Sequence, residues 1–346
     1  MFKNLLGRFS RDMGIDLGTA NTLVYIKDKG IVINEPSIVA INLRNEQILA
    51  VGEDAQKMVG KTPTHIVATK PLNDGVISDF EITERMLRHF IEKVHRESFS
   101  FRPRPRVVVG IPLDVTEVER KAVEDAVMQA GAREVFVIEE AMAAAIGARL
   151  PVQESCGNFI VDIGGGTTEI AVISLGGIVT WRSLPIAGSE MTEDIISYVR
   201  ENFNLLIGEK SAEDIKTKIG SATSPKQELK TTMRGRNLVS GLPKEETITG
   251  SQVREAIRKS VKTISSSIKD ILEATPPELV ADIYKRGLVL SGGGALLRGL
   301  PESIKKEIQI PVTVTDDPLT TVVRGTGIVL EDLDSLRDII LPSASN

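Results

Sequence analysis

Two short stretches constrain this chain more than anything else in it: MGIDLGTANTLVYI at 13–26 and NFIVDIGGGTTEIAVI at 158–173. Each reads as an apolar strand, a glycine-containing turn and a second apolar strand. Aligned on Asp16 and Asp162, 146 positions apart, they give D-L-G-T-A-N-T against D-I-G-G-G-T-T. In the second copy Gly164, Gly165 and Gly166 remove every Cβ from the turn and permit positive φ. Backbone N–H groups can then converge on an anion. Gly18 and the small residues after it offer the first copy the same possibility. An aspartate leading into a phosphate cradle repels phosphate unless a cation lies between them, so Asp162 points to Mg²⁺, held directly or through water. Either hairpin alone could be an ordinary glycine turn. Two copies point to two related domains, with one nucleotide phosphate tail gripped from both sides and both aspartates near the metal.

A chain of 346 residues has room for two domains with full cores. A net charge of −5 and 4% aromatic residues argue against a nucleic-acid partner. No apolar run reaches the roughly 18 residues of a membrane span, and the N-terminus lacks a secretory apolar region. The single Cys156 excludes an intrachain disulfide and fits a reducing cytoplasm. His65, His89 and His95 are scattered without ligand spacing, which argues against zinc.

Residues 1–11, MFKNLLGRFSR, place Phe2, Leu5, Leu6 and Phe9 on one helical face, with Lys3, Arg8 and Arg11 supplying positive charge. That pattern suggests a membrane-surface anchor, against a helix packed on its own domain. At 98–106, SFSFRPRPR sets Phe99 and Phe101 among arginines, either a membrane or partner-binding loop or a solvated linker. AQKMVGKT at 55–62 imitates a phosphate loop. It lacks the first glycine and runs straight into Pro63, and is set aside.

Three further features can carry chemistry. A strand at 135–138 ends in Glu139 and Glu140, directly before the alanine-rich helix 141–150; one of the pair could orient a water toward a γ-phosphate. Helix charge complementing the dipole is the plainer role. Glu213 and Lys216, spaced i, i+3 on a helix at 211–219, make either a surface ion pair or a clamp on adenosine. Ser291-Gly292-Gly293-Gly294-Ala295 is a third glycine turn after a strand. A strand is expected at 31–41, and helices at 79–98, 116–130, 191–203, 252–274, 301–307 and 321–330. The polar stretch 221–246, broken by Gly and Pro, reads as a variable small subdomain.

Taken in order, MGIDLGTANTLVY, NEPSIVA, VIEEAMAAAIG, NFIVDIGGGTTEIAVISLGGIV, LLIGEKSAEDIK, ATPPELVADI and LSGGGALLRGL resemble the MreB family of bacterial actins, within the actin and heat-shock-chaperone ATPase superfamily. The resemblance covers about residues 12–330. It implies an α/β, actin-like ATPase fold of two ribonuclease-H-like domains around a nucleotide cleft. Domain I would span 1–150, with 331–346 returning and a small subdomain at about 32–75. Domain II would span 151–330, with a small subdomain at about 188–250. The resemblance further implies Mg-ATP, with phosphates on Gly18, Thr19, Ala20 and Asn21 and on Gly164, Gly165, Gly166 and Thr167. Asp16 and Asp162 would hold Mg²⁺ through water, and Glu140 would position the attacking water. Glu213 and Lys216 would contact ribose and adenine, and Gly292, Gly293, Gly294 and Ala295 would approach the adenosine. The family commonly has Pro where Ala141 stands here.

The function so implied is a polymerising ATPase, cytoskeletal before it is an enzyme. It would form paired protofilaments, with the helix around Val118 as lateral contact. These would lie on the inner face of the cytoplasmic membrane through Phe2, Leu5, Leu6 and Phe9, aided by Phe99 and Phe101. With the cell-wall elongation machinery they would direct wall synthesis and rod shape. A sugar-type kinase of the same superfamily is the alternative, but no sugar-site signature accompanies Glu140. A chaperone would need a separate peptide-binding domain.

Overall fold

The computed structural model describes residues 11–96, 104–224 and 227–342. The chain divides into two compact units. The first comprises 1–158, 173–179 and 319–346, and the second 159–172 and 180–318. The first unit therefore regains the chain at Leu319 rather than at 331.

The first unit is built on a five-stranded sheet in the order Glu134–Glu139, Arg106–Ile111, Met13–Leu17, Asn21–Ile26, Gly30–Pro36. The first three strands are parallel and the hairpin 13–26 turns the sheet antiparallel. Parallel strands covered on both faces need apolar side chains in both directions, which is why 107–111 reads as an unbroken apolar run. One face buries Met13, Ile15, Val107 and Val109 against Met86, Phe90, Val123 and Val127 of the helices Phe80–His95 and Glu117–Gln129. Asp79 caps the first helix by accepting the Ile82 N–H, and Thr116 with Glu119 forms a capping box on the second.

On the other face lie the helices Glu140–Gly147 and Thr321–Glu331. Every residue of the first is buried. The two approach so closely that a Cβ on Gly147 would stand 1.9 Å from the Thr321 carbonyl oxygen, and one on Gly325 would stand 1.8 Å from that of Ala143. This packing keeps 321–331 with the first unit.

A second, three-stranded sheet orders Gln47–Val51, Val39–Asn42, Ile66–Thr69. The single strand expected at 31–41 is broken at Ser37, whose N–H donates to Ala20 O at 3.0 Å and whose Oγ donates to Gly18 O at 2.6 Å. The chain bends there to seat on the first glycine turn. At 53–62 a one-turn helix, Glu53–Gln56, ends before Gly60 instead of starting after a loop, the reverse of a phosphate loop.

The second unit carries a sheet ordered Gly177–Leu184, Thr168–Ser174, Asn158–Ile163, Leu288–Ser291, Val312–Val314. Val161, Ile170, Val172 and Leu290 pack against Met191, Ile195, Ile215, Ile264 and Ile268 of the helices Gly188–Phe203, Glu209–Ile219 and Gly250–Ala274. The stretch 221–246 is more regular than its composition suggests. Lys230–Asn237 and Pro243–Thr249 form an antiparallel hairpin, joined by Leu205–Leu206, with Met233 and Ile248 turned inward. Pro276 and Pro277 do stop the long helix, but Pro277 also opens another, Pro277–Arg286, from a first-turn position where its missing N–H costs nothing. No helix of the described residues is long and apolar enough to cross a membrane.

Candidate nucleotide site

In the first unit the three parallel strands end together, so the turn at Gly18, the chain after Ile111 and the Glu139–Glu140 junction lie at one end of the sheet. Open α/β sheets bind ligands beyond these carboxyl ends. A Cβ on Gly18 would meet Asn21 O at 2.8 Å and Asp16 Oδ1 at 3.7 Å, so only glycine fits inside this tight turn. The Gly18 and Ala20 carbonyls are both taken by Ser37. Thr19 Oγ1 accepts the Gly75 N–H at 2.8 Å, from a hairpin whose turn residues Asp74 and Gly75 both have positive φ.

Glu140 is 7% exposed and lies under Gly110, where an added Cβ would come within 3.2 Å of its Cγ. Glu139 is the half-buried last residue of its strand, and burial pushes its carboxyl above the ordinary carboxylate range.

The second unit assembles its own set. Gly164 N–H donates to Thr167 O at 2.9 Å and closes the hairpin turn. Gly164 O and Gly165 O accept the N–H groups of Gly188 and Ser189 at 3.1 and 2.8 Å, seating the turn on the first residues of helix 188–203. Lys216 Nζ reaches Gly188 O at 2.6 Å, Thr192 Oγ1 at 2.9 Å and Glu213 Oε2 at 2.6 Å. Thr192 Oγ1 donates to the same carboxylate oxygen at 2.6 Å. Glu213 and Lys216 are thus an ion pair, and one fixed beside the glycine hairpin rather than loose on the surface. The third glycine turn leaves the same end of the sheet, since Leu288–Ser291 runs parallel to Asn158–Ile163. Gly292 has φ +79, and a Cβ on it would fall 2.3 Å from Ile163 O.

Asp162 stands opposite Ser291 in this register, 6% exposed, and its Oδ1 has no hydrogen-bond partner. Burial pushes its carboxyl up to about 6, and the nearby Ser291 hydroxyl offsets this only in part. Ser291 Oγ itself makes no hydrogen bond of regular geometry. A buried acceptor lacking a partner fits a hydrated cation. Among the described residues no three His, Cys, Asp or Glu cluster as a metal cage. Mg²⁺ is commonly held by one or two carboxylates together with its own waters and substrate phosphate.

The raised pKa of Asp162 has a stability consequence. The folded state holds this proton to about pH 6, whereas the unfolded chain releases it near 3.8. Stability should therefore fall as pH rises between those values, by roughly 3 kcal/mol, and stay lowered above them. Without Mg²⁺ at pH 7.5, Asp162→Asn is expected to be more stable than the parent by about 1–3 kcal/mol and to lose Mg²⁺-dependent nucleotide binding. Urea titrations at pH 4.5 and 7.5 measure this; identical midpoints at both pH values would rule out the buried-carboxylate account.

None of Ser37, Gly75, Gly110, Thr192 and Gly188 is singled out by the sequence patterns. Only Gly75 carried a local signal, the Asp-Gly dipeptide of a tight turn.

Solved structures share this architecture. MreB5 of Spiroplasma citri bound to AMPPNP superposes with a TM-score of 0.89 at 38% identity, covering 94% of this chain and 97% of that one. The same protein bound to ADP also gives 0.89. A MamK double helical filament, at 22% identity, matches with a TM-score of 0.76, covering 92% of this chain and 98% of that one. The fold is that of the actin-like ATPases.

Within that class the assignment is narrower. The family model of the MreB/Mbl proteins matches residues 10–338. The cell shape-determining protein MreB of Escherichia coli K12 is 52% identical over 338 residues, 96% of this chain and 97% of its own. The cell shape-determining protein Mbl of Bacillus subtilis 168 is 48% identical over 329 residues, 95% of this chain and 98% of its own. The chain belongs to the MreB/Mbl family, and the kinase alternative gains no support from these relatives.

Proposed function

We propose that this chain binds and hydrolyses ATP and polymerises into actin-like filaments on the inner face of the cytoplasmic membrane, where they direct wall synthesis and rod shape. The observation that carries the reading is the pair of aspartate–glycine hairpins, each at the carboxyl end of a buried strand. The solved relatives bound to AMPPNP and ADP, and the relatives named for cell shape, support it.

In this reading Gly18, Thr19, Ala20 and Asn21 of the first unit bind nucleotide phosphate, as does the turn 164–167 of the second. Asp16 and Asp162 would hold Mg²⁺ through water, and the bound ion would neutralise charge on the phosphates. Glu140 orients the attacking water. Lys216, fixed on Gly188 O, and its ion-pair partner Glu213 meet the ribose and adenine, and 292–295 lies along the adenosine. A contact that joins different faces of successive copies without closing builds a filament. Paired strands with the helix around Val118 between them follow from the family resemblance; Val118 is 78% exposed, which leaves it available.

Membrane attachment is assigned to Phe2, Leu5, Leu6 and Phe9, with Phe99 and Phe101 contributing; all six lie outside the described residues. One copy of so short a segment binds weakly, and a filament presenting many copies binds firmly. A chain beginning at Arg11 is expected to lose most of its flotation with anionic vesicles while still sedimenting with ATP. Undiminished flotation would remove the N-terminal anchor from the account.

A further inference from the structure

A threonine inside a helix ordinarily turns its hydroxyl back to the carbonyl four residues earlier. Thr192, on the helix Gly188–Phe203 and 2% exposed, has that carbonyl in reach, with Oγ1 3.0 Å from Gly188 O. Its Oγ1 is closer, at 2.6 Å, to Glu213 Oε2 on another helix, 21 positions on. A hydroxyl has a single proton to donate, and the shorter contact, to a carboxylate, is the stronger of the two. Thr192 therefore donates to Glu213.

The donors of Lys216 can be followed in the same way. An ammonium carries three N–H groups and no acceptor. Lys216 Nζ has Gly188 O at 2.6 Å, Thr192 Oγ1 at 2.9 Å and Glu213 Oε2 at 2.6 Å. All its N–H groups are used inside the protein, and the side chain is only 12% exposed. Lys216 thus offers a ligand its charge and the edge of its alkyl stem, but no free N–H. Glu213 is the opposite case. Its Oε2 accepts from both Thr192 and Lys216, its side chain is 48% exposed, and among the described residues its Oε1 has no partner. An ionised carboxylate oxygen only accepts, so Oε1 is open to a ligand that donates.

The same residues set the distance from Oε1 to the glycine turn. Gly188 N–H donates to Gly164 O at 3.1 Å while Gly188 O receives Lys216, so one residue links the turn to the carboxylate. The link has little slack: a Cβ on Gly188 would stand 3.3 Å from Gly164 O and 3.5 Å from Lys216 Nζ.

We propose that Thr192 is a positioning residue for nucleotide recognition: with Lys216 it holds Oε2 of Glu213, so that Oε1 is presented to the sugar hydroxyls at a fixed spacing from the phosphate turn. This rests on the nucleotide reading above and names the feature selected, a ribose against its deoxy analogues. Without the Thr192 hydroxyl the carboxylate keeps only Lys216 and can swing about it. Binding must then order it, and that cost falls on the sugar contact alone.

The experiment is equilibrium titration of the full chain with ATP, 2′-deoxyATP and 3′-deoxyATP in Mg²⁺, at protein concentrations too low to sediment. The parent is expected to bind the deoxy analogues about tenfold more weakly than ATP, the usual worth of a hydrogen bond to a charged group. Thr192→Val should weaken ATP about tenfold, leave the deoxy analogues within about twofold and so remove most of the preference. Thr192→Ser, which restores the hydroxyl, should restore it. Circular dichroism checks each fold, and Thr192→Ala takes the place of Thr192→Val if that variant does not fold. Equal weakening of all three nucleotides, or a preference that survives in Thr192→Val, overturns the positioning role. Glu213→Ala tests the reading beneath it. If this variant alone loses the preference, Glu213 meets the sugar and Thr192 does not position it. If the parent has no preference, or Glu213→Ala keeps it, the assignment of Glu213 to the ribose falls and the proposal with it.

Discussion

Glu140→Ala is expected to lower the rate of phosphate release from ATP by about 10²–10⁴-fold, the usual worth of a positioned acid–base group, and to leave nucleotide affinity nearly unchanged. The residue opens a helix at the carboxyl end of its sheet, the same end as the Gly18 turn. It is 7% exposed, and Gly110 makes room for its side chain. A buried carboxylate on a rigid helix start can hold a water in one orientation. Its neighbour Glu139 is the last strand residue and the helix N-cap, and of two consecutive side chains only one can be expected to face the ligand. Glu139→Ala should therefore cost much less. Single-turnover hydrolysis and a nucleotide titration separate the two steps. A larger loss for Glu139→Ala, or collapse of ATP binding in Glu140→Ala, would contradict the assignment. The structure also bears on Ala141, which stands where the family commonly has Pro: the residue is fully buried in an all-buried helix, so packing constrains this helix start.

The second large effect is on stability. Gly147→Ala and Gly325→Ala are each expected to destabilise the first unit by about 3–5 kcal/mol, at or beyond the upper end of overpacking costs. Each new methyl would stand under 2 Å from a backbone carbonyl oxygen of the facing helix, a contact that rotamer changes cannot relieve. The helices would have to separate. Helix 140–147 carries Glu140, so the variants should also lose hydrolysis. Gly208→Ala is the control, because a Cβ there meets nothing within 4 Å; it should lie within about 0.5 kcal/mol of the parent. Urea denaturation of the three variants decides it, and equal midpoints would mean that the close helix packing is not what holds the unit.

How much of this was readable in the sequence follows from the range of the forces involved. The two hairpins, the buried strands and the capping box at Thr116 are set by residues within about ten positions of each other, and they stand where the patterns put them. The hairpin 230–249 was missed because its strands are polar on the exposed face and only Met233 and Ile248 mark the buried one. The helix 277–286 was hidden by prolines that read as a stop but also serve as a start. The break at Ser37 comes from hydrogen bonds to Gly18 and Ala20, and the bond from Gly75 to Thr19 spans 56 positions. Such contacts leave no periodic trace. The same holds for Lys216: its i, i+3 spacing with Glu213 was visible, but not its anchorage to Gly188 beside the glycine hairpin.

The central claim is that this fold uses its nucleotide to build a filament. Sedimentation of the full chain at tens of micromolar, with Mg-ATP and with or without anionic vesicles, tests it most directly when the pellet is viewed by electron microscopy. The account predicts open, paired filaments in the pellet with ATP. A chain that remains monomeric in every one of these conditions would contradict it.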